Sequence, residues 1–133
     1  MHRFRVVFAI LLATLFARSP VLAGDGEGAV DIGYFALKPS IVSNLVGGPK
    51  YIRCDIQLMT EKASMLPKIE LHAPALRHQM LMLLAKQDGQ SLTTRAGKEG
   101  LRKAALQSFQ EQLKELTGDE IVADLYFTAY YVR

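Results

Sequence analysis

The chain has 133 residues, half of them hydrophobic and 22% charged, with a formal net charge of +3. This composition is that of an ordinary globular protein, and the length allows one folded domain. The charge excess comes from Arg3, Arg5 and Arg18, because the remaining chain carries as many basic as acidic side chains. A domain with balanced charge lacks the basic surface that nucleic acid or an anionic membrane would need, so neither is an expected partner.

Residues 1–23 are predicted to be a secretory signal. A short basic start precedes an apolar run, and small residues lead to a cleavage site between Ala23 and Gly24. The alternative is an uncleaved membrane anchor, but a span needs about 20 apolar residues and Pro20 interrupts this run. Either way the domain is expected to be exported. It would be membrane-anchored only if residues 6–23 are not removed.

The segment after the signal is rich in glycine and polar residues, which favours a short flexible tether over residues 24–33. The folded domain is therefore expected over residues 34–133. Cys54 is the single cysteine, so no disulfide within the chain can stabilise this domain. The alternation around Cys54 predicts a small buried hydrophobic side chain rather than a reactive thiol.

The first part of the domain is predicted to be an antiparallel hairpin. Residues 34–37 are apolar enough for a strand, which Lys38-Pro39 interrupts and which continues over residues 41–46. Gly47-Gly48-Pro49 is a strong turn signal. Residues 51–59 then alternate between apolar and polar side chains, as in a strand with one face in water.

From about Met65 the apolar spacing becomes helical. Pro67 suits a first turn, whereas Pro74 either kinks this helix or starts a second one. The predicted buried stripe consists of Leu76, Met80, Leu83 and Leu84. Three further apolar residues lie on the opposite side, near His78: Leu81, Met82 and Ala85. Because a two-layer domain buries one side of such a helix, this second side is predicted to meet a partner.

A second long helix is predicted over residues 95–116. Thr94 is a suitable N-cap and Gly118 a suitable C-cap, while residues 91–94 before it are either a short strand or a loop. The predicted buried stripe of this helix consists of Leu101, Ala105, Phe109, Leu113 and Leu116.

Residues 121–132 are dense in β-branched and aromatic side chains and predict a long strand in the interior of the sheet. Strict alternation places Leu125 and Phe127 under the helices. The opposite face, with Val122, Tyr126 and Tyr130, is predicted to meet another subunit or protein. The resulting fold class is α+β: an antiparallel sheet of three to four strands with two main helices on one face.

No residue constellation predicts catalysis or a cofactor. Asp124 is expected to pair with Arg53 or Lys50 across the sheet. His78 and Met82 have the i, i+4 spacing of a metal-ligand pair, and their chemistry suits copper. Two ligands make a weak site, and a place in an interface or core explains both residues as well.

The order and spacing of several motifs resemble the FliL family of flagellar basal-body proteins. The C-terminal half carries Thr94-x-x-Gly97-Lys98-x-x-Leu101, then an amphipathic helix and a strand with Tyr-Phe-Thr-Ala-Tyr-Tyr at 126–131. Upstream, Tyr34-x-x-Leu37-Lys-Pro39 is similar to the family's opening strand. The resemblance spans residues 34–132. It implies a fold similar to the stomatin/prohibitin (SPFH) type, assembly into rings around the stator units, a role in flagellar rotation and chemotaxis, and no catalysis.

Two departures from the family pattern are visible. A signal-like segment and a short tether replace the usual transmembrane helix and long linker, and Arg133 stands where glutamine is common. The first departure indicates a periplasmic paralogue. Two functions therefore remain open: an oligomeric assembly protein that supports flagellar stators, or a periplasmic module that binds copper or a small ligand without relation to the flagellum.

Overall fold

The computed structural model describes residues 30–133, so the predicted signal and the cleavage site at Ala23-Gly24 lie outside the described residues. The α+β class is confirmed, with three antiparallel strands and two long helices. In chain order the elements are β1 (Gly33–Asn44), β2 (Tyr51–Thr60), a 3₁₀ turn (Ala63–Met65), α1 (Leu66–Leu84), α2 (Gly89–Leu92), α3 (Arg95–Thr117) and β3 (Val122–Val132).

The hairpin of β1 and β2 forms as predicted. Gly47 and Gly48 have φ values of 62° and 50°, in the left-handed region that glycine adopts without steric cost. Ladder pairing shifts between Leu37 and Ile41, where Lys38-Pro39 interrupts the alternation. Alternate residues of β2 lie in the core under the helices: Ile52, Cys54, Ile56 and Leu58.

Helix α1 runs unbroken through Pro74, so the proline neither ends the helix nor starts another. Pro74 is exposed, on the side of α1 away from the core. Pro67 occupies the first turn, as predicted. The buried residues are Ile69, Leu76, Met80 and Leu84, while Leu83 is half-buried against the same core.

The predicted optional strand at residues 91–94 is absent from this part of the chain, where residues 89–92 form the short helix α2. The side chain of Asp88 accepts a hydrogen bond from the backbone N–H of Gln90 and caps this turn, which favours helical geometry.

The caps of α3 are confirmed. Thr94 Oγ1 accepts a hydrogen bond from the Gly97 N–H at 2.9 Å, and Gly118 has φ 83°. Leu116 is 44% exposed, so its predicted burial was wrong. The side chain of Gln110 already reaches the carbonyl of Val122, the first residue of β3. Leu116 lies further along α3, beyond the point where β3 begins, so this strand does not cover its side chain.

Strand β3 lies at the edge of the sheet rather than in its interior, because the strand order is β1-β2-β3. Two register shifts interrupt its ladder with β2, leaving Ala123 and Thr128 as extra residues. Each extra residue inverts the alternation beyond it. Leu125 and Phe127 lie under the helices as predicted. Val122 and Tyr130 share that face, against the prediction, and Tyr131 faces the other way.

Candidate interaction surfaces

The face of the sheet opposite the helices, called the open sheet face below, mixes exposed aromatic and apolar side chains with polar ones such as Arg53 and Gln57. The residues of this face either belong to β2 positions that alternate with its buried residues or pair with such positions. Their side chains therefore point away from the helices. Its large exposed residues come from all three strands: Tyr34, Val42, Tyr51, Tyr126 and Tyr131. Tyr131 is 56% exposed and Val42 57%. No element within residues 30–133 covers this face.

A second uncovered apolar surface lies on α1. Leu71, Leu81 and Met82 are 72%, 37% and 49% exposed, and Ala85 is exposed beside them. These four residues define the outer α1 surface. The prediction that this side of the helix stays uncovered by the domain itself is confirmed for the described residues.

The structure divides the predicted interface residues into two groups. Leu81, Met82, Ala85 and Tyr126 lie at the surface, whereas Val122 is 1% exposed and belongs to the core. Tyr130 is half-buried and donates a hydrogen bond from its hydroxyl to the Leu92 carbonyl at 2.8 Å. Val122 and Tyr130 therefore stabilise the fold and are removed from the candidate interface.

Tyr130 connects three elements on the helix side of β3. Its ring lies 5.2 Å from that of Phe127, and Lys98 Nζ of α3 lies 4.9 Å from the ring centroid. Burial, with a smaller contribution from Cys54, raises the pKa of Tyr130 to about 12. The neutral phenol is thus the form that this site stabilises.

Arg102 of α3 makes the ion pairs at the β3 edge. Its Nη1 lies 2.6 Å from Asp124 Oδ1 and its Nη2 lies 2.6 Å from Glu99 Oε1. The predicted pairing of Asp124 with Arg53 or Lys50 was wrong, because the ladder sets Asp124 opposite Met59. The hydrogen bond from Arg102 lowers the pKa of Glu99. No local pattern in the sequence indicates that Arg102 reaches β3.

The groups with potential reactivity do not form a catalytic or metal site in the described part of the chain. Cys54 is buried, and burial together with the charge of Asp55 raises its pKa to about 12, so thiolate is scarce at neutral pH. His78 and Met82 are both exposed. No group of three or more histidine, cysteine or acidic residues within residues 30–133 could hold a metal ion.

No helix among residues 30–133 is both long enough and apolar enough to cross a membrane. No curated protein matches this chain. The family model described as "Flagellar basal body-associated protein FliL" matches residues 34–132, which is most of the chain and nearly all of the described fold. This match includes both uncovered surfaces and confirms the resemblance found in the motifs. The chain therefore belongs to the FliL family of structural, flagellar basal body-associated proteins.

Proposed function

We propose that this protein is a periplasmic, non-enzymatic component of the flagellar basal body that self-associates and supports the stator units during motility. The observation that carries the proposal is the family match over residues 34–132. The proposal places the domain at the outer face of the inner membrane and includes the SPFH-like ring assembly that the resemblance implies.

Two features of the molecule support assembly as its mode of action. The outer α1 surface and the open sheet face expose large apolar side chains on different elements. Exposed apolar surface of this kind typically marks sites of protein association. We assign one side of the self-association contact to the outer α1 surface, through Leu81, Met82 and Ala85. We assign contact with stator or other basal-body proteins to the open sheet face, which includes Tyr126.

Deletion of the gene tests the flagellar role. We expect cells without it to swim and swarm less and to produce less torque under high load, with recovery on expression of the full chain. Bead assays at several loads measure the torque of single motors. Unchanged torque at the highest load would refute the proposed support of stators.

The self-association surface is tested with the double substitution Leu81→Glu and Met82→Glu. Two carboxylates there would have to be desolvated in any contact, so we expect the purified protein to dissociate at concentrations where the wild type associates. Sedimentation velocity measures this. Leu116→Glu is the matched control, because Leu116 is similarly exposed on a different helix. Equal association of the wild type and the double variant would refute the assignment.

A further inference from the structure

One end of the open sheet face, where β2 begins, carries a block of two arginines and two tyrosines. Tyr51 and Arg53 alternate with the buried Ile52 along β2. Across the ladder, Tyr131 pairs with Arg53, and Arg133 exchanges two backbone hydrogen bonds with Tyr51, at 2.9 and 3.0 Å. Arginine and tyrosine therefore alternate both along the strands and across them.

These four side chains line a cavity of about 240 Å³ that opens on the sheet face. All four are exposed. Its lining contains no acidic residue, whereas the cavity lined by Arg102 also holds Glu99, and the one lined by Lys38 also holds Asp55. The block is thus a local excess of positive charge in a domain whose charges otherwise balance.

The two guanidinium groups of this block have no carboxylate partner among residues 30–133. The ion pairs found in that range belong to Arg102. Arg53 and Arg133 are diagonal neighbours in the ladder, a relation in which Cα atoms lie roughly 7–8 Å apart and long side chains can meet. Two cations at such a separation repel each other, and a carboxylate between them would remove this repulsion.

We propose that the cavity binds an aspartate or glutamate side chain of a protein that docks on the open sheet face. The guanidinium groups of Arg53 and Arg133 would both donate to the carboxylate, in charge-assisted hydrogen bonds that the planar group of arginine favours. The rings of Tyr51 and Tyr131 would pack beside it. Arginine and tyrosine are also the residue types that most often carry the binding energy of protein interfaces.

Charge complementarity selects an acidic occupant over an apolar one, because an apolar side chain would remove two guanidinium groups from water without pairing them. The positive charge is confined to this block, so the extended basic surface that nucleic acid or an anionic membrane needs is missing from the described residues. The inference deepens the proposed function by assigning the chemistry of the contact. It rests on that function for the assumption that a protein covers this face.

The test uses the isotopically labelled full chain at low salt and two short peptides, acetyl-Ala-Glu-Ala-amide and its counterpart with glutamine in place of glutamate. The amide signals of Tyr51 and Tyr131 and the guanidinium signals of Arg53 and Arg133 report binding. We expect the glutamate peptide to shift these signals saturably and the glutamine peptide to bind about three- to tenfold more weakly, as the loss of exposed ion pairs predicts. Equal binding of both peptides, or no shift at the solubility limit, would overturn the proposal.

Matched variants assign the preference to the two arginines. Both are exposed, so the fold should persist when Arg53→Gln and Arg133→Gln are combined, and this variant should lose the preference for glutamate. Arg95→Gln removes the same charge at the exposed start of α3 and should bind like the wild type. With Arg53→Glu and Arg133→Glu combined, we expect a preference for acetyl-Ala-Lys-Ala-amide instead. A glutamate preference that survives in the double glutamine variant contradicts the proposal.

Asp25 and Glu27 of the predicted tether are the competing carboxylates of the chain itself. Asp31 lies beside Lys62, so the tether would have to extend over about 30 Å along the sheet to reach Arg53. If Asp25→Asn combined with Glu27→Gln increases binding of the glutamate peptide, the chain fills its own cavity and the proposal of a partner side chain is overturned. Unchanged binding supports it.

Vesicles of phosphatidylglycerol test a lipid phosphate as the other source of negative charge. Vesicle binding that is lost in the double glutamine variant would assign the arginines to a membrane surface and overturn the proposal, whereas equal vesicle binding of both proteins supports it. Because peptide binding does not depend on motility, a failure of the flagellar proposal in gene deletion can be separated from a failure of this one.

Discussion

Replacing Tyr130 with phenylalanine removes one hydrogen bond and leaves the packing of the ring in place. The hydroxyl of Tyr130 donates to the carbonyl of Leu92, a residue that is 1% exposed. A typical hydrogen bond contributes about 1 kcal/mol, and an unpaired buried carbonyl adds to its loss. We expect Tyr130→Phe to lower the free energy of unfolding by about 1–2 kcal/mol. For a domain of this size, the melting temperature then falls by roughly 4–8 °C.

Tyr131→Phe is the matched control for this experiment. Tyr131 is the next residue of β3, but its side chain lies on the open sheet face and is 56% exposed. A surface change of this kind alters stability by about 0.5 kcal/mol or less. Urea unfolding followed by circular dichroism measures both variants. Equal losses in the two, or a change in self-association with Tyr130→Phe alone, would refute the placement of Tyr130 under the helices.

The pH dependence of stability tests the burial of the Tyr130 hydroxyl independently. Burial raises the pKa of Tyr130 from 10.0 to about 12, so the folded state holds the phenolic proton more tightly than the unfolded state. The contribution of this protonated hydroxyl to the free energy of unfolding is therefore fully present below pH 10 and is lost as pH rises towards 12. We expect Tyr130→Phe to flatten the decline of stability in this window. An unchanged slope would contradict the assignment.

Three further predictions concern other parts of the chain. Gly97→Ala should destabilise the protein by about 1–3 kcal/mol in thermal melts, because its Cβ would lie 1.8 Å from the Ser91 carbonyl oxygen. Gly100→Ala is the control: its Cβ would have no neighbour within 4 Å, so this variant should be neutral or stabilising in the same melts. The Cys54 thiol should react with Ellman's reagent at the rate of unfolding, and rapid reaction of the native protein would refute its burial. The mass of the protein from the periplasmic fraction should correspond to a chain that starts at Gly24, whereas an intact N-terminus would refute the predicted cleavage.

Local signals predicted the elements that local chemistry determines. The hairpin turn follows from two glycines at positive φ, and α3 is bounded by Thr94 and Gly118, whose capping roles depend on their own backbone and neighbours. The buried positions of β2 followed from simple alternation, because the extra residues at the register shifts lie on β1 and β3 and leave the alternation of β2 unbroken. In these cases the sequence contains the determining interaction within a few residues.

The faces of β3 could not be predicted in the same way. The extra residues of its two register shifts are Ala123 and Thr128, and neither has the left-handed or proline geometry that signals an irregular strand. Pairing with β2 determines where the shifts occur, and that pairing is made by residues distant in the sequence. The position of β3 at the sheet edge is likewise set by strand order, which β-propensity does not report.

The candidate interaction surfaces also include one part that local sequence predicts and one part that depends on distant pairing. Helical spacing correctly left Leu81, Met82 and Ala85 uncovered, because the side of a helix that faces its own domain follows from its periodicity. The place of Tyr131 on the open sheet face had no such signal. Strict alternation puts Tyr131 on the side of Leu125, but the extra residue Thr128 moves Tyr131 to the opposite face.

The size of the assembly determines how the two apolar surfaces are used. In a dimer with two-fold symmetry, one patch meets its own copy, so the outer α1 surface alone would suffice. A closed ring instead needs two different patches on every protomer. The open sheet face also exposes large apolar and aromatic side chains, so a ring that used it would compete with a partner protein for this face. A dimer leaves the open sheet face accessible, and the measured stoichiometry therefore decides whether assembly and partner binding exclude each other.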